Sequence, residues 1–114
     1  MAVFNGAFPI LPGKIEAARA FAKAIASGEQ SQDFDDMQKR TSTARETWSV
    51  QSAPAGDFML VWFEGDVEKA FADLANDDSE YMTWFRARVV DVTGVDLGTP
   101  SNDPRPAVLI DFRA

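Results

Sequence analysis

Chemistry in this chain has to be done without its two most versatile side chains. Its 114 residues include no histidine and no cysteine. That removes the Ser-His-Asp arrangement, imidazole-bound metals, thiolate catalysis, zinc-thiolate sites and disulfides. What remains is carboxylates, amides, hydroxyls, aromatic rings and guanidinium groups. The leading polar pair is Glu64 with Arg45. A carboxylate beside a cavity can have a raised pKa and serve as a general base; the commoner use of such a pair is a cross-strand ion pair near a strand end. Asn5, next to Gly6, brings an amide that burial would oblige to find partners, either in a ligand or in the backbone of a bulge. Trp62 would line a ligand cavity or pack an interface. Trp84 and Arg86 would rim a cavity mouth, with pairing of Arg86 to Glu80 or Asp91 as the structural alternative.

Acid clusters at Asp33/Asp35/Asp36 and Asp77/Asp78/Glu80 invite a calcium reading. Neither has the spacing, glycine and terminal glutamate of an EF-hand, and both fall where helix starts favour acids. They read as solvated helix ends, and no metal site is expected. No P-loop, dinucleotide fingerprint or metalloprotease motif is present, so no cofactor is expected. A net charge of −7 argues against nucleic acid and against an anionic membrane surface. With 46% apolar and 11% aromatic residues, 1–114 reads as one globular domain. The start, Met-Ala-Val-Phe-Asn-Gly, lacks the basic region and apolar segment of a signal peptide, which makes a cytoplasmic protein the expectation.

The elements that must position these residues follow from periodicity. Residues 3–8 read as a strand, in which Gly6 marks a bulge or a close approach of another group. Ile15, Ala18, Ala22 and Ile25, with Phe21 beside them, keep helical spacing from Lys14 to a stop at Gly28. Ser31 is placed to cap a shorter helix with Phe34 and Met37 inward. Residues 45–52 alternate as a half-buried strand, the Ala53-Pro54-Ala55-Gly56 loop turns the chain, and 57–64 is the most apolar strand. Asp66 caps a helix with Val67, Ala70, Phe71 and Leu74 inward. Ser79 starts another, with Met82, Phe85, Val89 and Val92 inward and Gly94 at its end. A loop over 98–106 leads to a last strand over 107–113. Strand, helices, two strands, helices, strand is the ferredoxin-like split βαβ order of the α+β class. It predicts a four-stranded antiparallel sheet with helices on one face, the first and third strands central.

Counting back from the hairpin sets Gln51 against Phe58, Ser49 against Leu60, Thr47 against Trp62 and Arg45 against Glu64. The other face sets Val50 against Met59, Trp48 against Val61 and Glu46 against Phe63. Directly opposed residues share a face. The second set is nearly all apolar and belongs under the helices. The first mixes Phe58, Leu60 and Trp62 with polar groups, and leaving three large apolar side chains in water is a loss of roughly 1.5–3 kcal/mol each. The expected cover is a second copy of the same sheet about a two-fold axis. Thr47 and Gln51 on this face join the candidate ligand contacts.

With Trp62-Phe63-Glu64-Gly65-Asp66 leading into a helix and Trp84-Phe85-Arg86 in the last helix, the chain resembles the dimeric α/β-barrel superfamily, which includes antibiotic-biosynthesis-monooxygenase-like proteins. The resemblance runs from Val3 to Arg113 and is closest to an uncharacterised bacterial group within the superfamily. It implies two ferredoxin-like protomers joined sheet to sheet, each with a cavity. Haem-degrading relatives use a histidine that this chain lacks. Cofactor-free oxygenases of the superfamily use Asn, Trp, Tyr or Arg in the cavity, which by residue type implies Asn5, Trp62, Tyr81, Trp84 and Arg86. The resulting expectation is a homodimer that binds a small apolar or aromatic molecule, as a cofactor-independent oxygenase or isomerase. The alternative is a non-catalytic dimerisation module whose sheet face is only packed core.

Overall fold

A computed structural model of the chain describes residues 2–99 and 104–114. The order is β1 (Ala2–Ile10), α1 (Ile15–Ala26), α2 (Ser31–Arg40), β2 (Arg45–Ala53), β3 (Gly56–Gly65), α3 (Val67–Asn76) and α4 (Glu80–Thr93). This is an α+β fold with an antiparallel sheet of order β1-β3-β2. No described helix is long and apolar enough to cross a membrane.

The expected hairpin register holds throughout, from Ser52 opposite Asp57 to Arg45 opposite Glu64. It runs one pair further, to Ala53 opposite Gly56, so the connection is Pro54-Ala55 and not four residues. β1 pairs along the other side of β3, with Phe4 opposite Phe63, Gly6 opposite Val61 and Phe8 opposite Met59. That pairing is continuous through Gly6, so of the two uses expected for this glycine the close approach is the one realised. A Cβ there would lie 2.6 Å from the Phe4 ring and 3.1 Å from the Phe8 ring.

Helix ends follow local chemistry. The Asp66 carboxylate accepts from the Lys69 N–H at 3.1 Å and the Ser79 hydroxyl from the Met82 N–H at 3.2 Å, each occupying one otherwise unpaired helical donor. Gly94 closes α4 in the left-handed region at φ 74, and Val95 after it packs on the core. Ser31 is not a cap: it is the first residue of α2, Gln30 occupies the cap position, and the Ser31 N–H bonds to the Gly28 carbonyl.

The helices cover one face of the sheet. Phe21 and Ile25 of α1, Met37 of α2, Leu74 of α3 and Met82, Phe85 and Val89 of α4 are buried together, with Trp48 of β2 packed against them. Phe4 and Phe63 stack on Val67 and Ala70 of α3.

Two further expectations are corrected. No strand forms over 107–113: Val108, Ile110 and Phe112 are exposed, as is Leu109 at 92%. Alternation alone does not make a strand; it needs partner N–H and C=O groups, and Pro104 and Pro106 bring no donors at the start of this segment. Ion pairs hold the segment instead, Arg105 to Glu68 and Arg113 to Glu64. Consequently β1 is an edge strand in this sheet, not a central one. Part of the 98–106 loop, residues 100–103, lies outside the described residues.

Candidate functional site

Alternation along β2 turns Glu46 and Trp48 toward the helices, and α2 lays Gln38 over them. The Gln38 side-chain N–H donates to Glu46 Oε1 at 2.8 Å and the Trp48 indole N–H donates to Glu46 Oε2 at 2.7 Å. Burial raises the Glu46 pKa above the ordinary carboxyl value, and the two hydrogen bonds only partly oppose it. Both donors are neutral, and among the described residues no ion pair includes Glu46. Two neighbouring polar atoms, Gln38 Oε1 and the Tyr81 hydroxyl, are buried with no hydrogen-bond partner among the described residues. Burial, and then the charges of Asp33 and Glu46, push the Tyr81 pKa far up against the opposing pull of Arg40, so its proton stays on.

Beside this cluster, between sheet and helices, lies a cavity of about 70 Å³. β1 contributes Phe4 and Phe8, β3 Phe63, and the helices Phe21, Phe71 and Phe85, with Trp48 completing the rings. Phe21 meets Trp48 edge-on at 5.2 Å and Phe85 at 5.2 Å, which fixes the wall around the indole. Glu46, Gln38, Thr41, Thr43 and Thr93 are the polar side chains in the lining. The Thr41 and Thr93 hydroxyls donate to the carbonyls of Met37 and Val89, and the Thr41 and Thr43 hydroxyls bond to each other at 2.8 Å. Chemically, the wall offers a carboxyl poised to exchange a proton with whatever occupies the cavity.

The residues singled out from the sequence fall in three other places, and none of them lines this cavity. Asn5, Arg45, Thr47, Gln51, Trp62 and Glu64 share the sheet face turned away from the helices. Asn5 is exposed opposite Trp62, so it is not the buried amide expected. Arg45 and Glu64 are opposed, but the ion pair between them does not form. Glu64 instead accepts from Arg113 at 3.1 Å, and the Arg45 guanidinium sits 5.9 Å from the Trp62 ring centre. Phe58, Leu60 and Trp62 are half-buried on this face.

Tyr81 and Trp84, rings 5.9 Å apart, border an outer cleft of about 600 Å³ together with Asp33, Arg40 and Glu80. Arg86 donates to the Leu74 carbonyl at 2.9 Å, closing the end of α3, and does not pair with Glu80 or Asp91. The residue missed from the sequence is Glu46. Its signal was present: a carboxylate at an inward register position, opposite Phe63, on a face otherwise apolar.

Compared with known proteins, the chain matches no family model, no curated protein and no solved structure.

Proposed function

We propose that this chain is a small-molecule-binding protein that takes an apolar or aromatic guest into the cavity beneath its helices, with Glu46 as the group that meets it. The supporting observation is the carboxyl itself. Taking a carboxylate out of water costs several kcal/mol, yet Glu46 is held by neutral donors at the wall of an aromatic cavity. A carboxyl with a raised pKa bordering a cavity is the usual signature of a working group. As a cofactor-independent oxygenase or isomerase, the protein would use Glu46 to take a proton from the guest.

The working form in this reading is a homodimer of ferredoxin-like protomers joined sheet to sheet. The half-buried Phe58, Leu60 and Trp62 and the exposed Val108, Ile110 and Phe112 supply the apolar surface for it, and the free edge of β1 would accept 107–113 as the fourth strand. A dimerisation module without a guest is the second reading. The observation in its favour is size: about 70 Å³ is well below the ~300 Å³ at the lower end of small-molecule sites.

Sedimentation at micromolar concentration, with a thermal-shift series over small apolar and aromatic compounds, tests both. The expected result is a dimer, converted to monomer by Trp62→Ala, and a rise in Tm with compounds of a few heavy atoms. A monomeric wild type refutes the assembly. A dimer that no compound stabilises refutes the guest and leaves the module.

A further inference from the structure

The polar groups of the inner cavity are unbalanced in one direction. The hydroxyls of Thr41 and Thr93 spend their protons on backbone carbonyls, and those of Thr41 and Thr43 are joined. The Trp48 N–H and one of the two Gln38 amide N–H groups are directed at Glu46. In the lining, the acceptors open to a guest are the Glu46 carboxylate and Gln38 Oε1, which is buried without a partner among the described residues; the Tyr81 hydroxyl, also without one, lies outside the lining. The ring faces around them add negative quadrupole. No lysine or arginine lines the cavity.

We propose that the guest is a small primary alkylammonium ion, with its N–H groups directed at Glu46 and Gln38 Oε1 and its alkyl body among the rings. This rests on the reading that the cavity takes a guest at all; it keeps the apolar body of that guest and gives it a cationic head. A neutral alcohol has one proton to give and leaves the carboxylate without a counter-charge. An ammonium has three, enough for Glu46, for the unpaired Gln38 oxygen and for a ring face, where a cation is attracted electrostatically. A quaternary ammonium has none and cannot reach Gln38 as a donor. Burying the cation costs hydration, but the carboxylate it meets has already left water, so the pair forms where the larger part of that cost is sunk. The volume of about 70 Å³ confines the alkyl part to a few carbons.

The test is a two-dimensional NMR titration of the full chain with n-propylammonium and with n-propanol, which has the same number of heavy atoms. At pH 7.5 the ammonium is expected to shift the Trp48 indole N–H and the Gln38 side-chain amide, with a Kd at least tenfold below that of the alcohol. That preference should disappear as pH falls and Glu46 is protonated, and in Glu46→Gln. The other charged and titratable groups at this corner are Asp33 and Arg40 from α2 and Tyr81 from α4. Tyr81 keeps its proton over this range, and Asp33→Asn controls for the remaining carboxyl. If the alcohol binds as tightly as the ammonium, or the ammonium shifts only the outer cleft around Asp33 and Glu80, the ammonium assignment is wrong while the cavity reading stands. If neither compound shifts the cavity resonances, both are wrong. The wild-type pH series decides the matter even if the variant fails to fold.

Discussion

Replacing Glu46 by glutamine should stabilise the protein at neutral pH, by an amount that grows as pH rises. The reason is charge. Burial puts the folded-state pKa of Glu46 above its ordinary value of 4.5. The folded state therefore holds a proton that the unfolded chain has already released, and ionising it costs about 1.4 kcal/mol per unit of difference. The sign is the reverse of the usual carboxylate case: the penalty is absent well below pH 4.5, grows as pH passes that value, and is complete above the folded-state pKa. An amide at position 46 never carries it. The hydrogen bonds are close to neutral in this exchange: with its oxygen kept on the Trp48 N–H, the new amide nitrogen takes the place of Glu46 Oε1, and Gln38 turns its own amide to accept there, so one bond replaces another. The expected gain is near zero at pH 4 and grows toward pH 7, as the buried charge that only the wild type carries develops. Urea unfolding of both proteins at the two pH values measures it. Asp77, Asp91 and Asp96, whose hydrogen bonds hold their pKa values low, also make stability pH-dependent, but they are common to both proteins and cancel in the difference. A difference that does not change between pH 4 and pH 7 would refute the buried-charge reasoning, and one that turns increasingly destabilising would reverse it.

Two further outcomes bear on the scaffold. Met82 is wholly buried within the ring cluster of Phe21, Tyr81 and Phe85, so Met82→Ala should cost about 2–5 kcal/mol in urea unfolding. The caps of α3 and α4 engage separate helices, so Asp66→Ala and Ser79→Ala should each cost about 0.5–2 kcal/mol and add in the double variant.

Where local rules act alone, the chain was readable in advance. The hairpin is closed by its own turn, so the partner of every β2 residue could be counted from Ser52 and Asp57, and the two faces of the sheet followed. Caps at Asp66, Ser79 and Gly94 were legible for the same reason, since each is settled within one turn of helix. Residues whose partners lie far along the chain were not. Glu64 faces Arg45 but bonds to Arg113, 49 positions away, and periodicity carries no record of that competition. The 107–113 segment has the alternation of a strand, but alternation says nothing about whether an edge is available to pair with. The register puts Glu46 on the helix-facing side, but its bonds to Gln38 and Trp48 depend on α2 lying over β2, which alternation does not encode.

Gly6 gives the cavity an adjustable wall. The rings of Phe4 and Phe8 fold into the space that a side chain on Gly6 would occupy, and both border the cavity. The size of the chamber is thus governed by one absent methyl group on an edge strand, on the far side of β3 from the strand that carries the carboxyl. A side chain there would force the Phe4 ring to shift and press on the Phe8 ring, while the bonds of Glu46 to Gln38 and Trp48 are made on α2 and β2. Volume and charge are separable in this fold: two of the rings that bound the cavity stand on β1, and the buried carboxyl stands on β2.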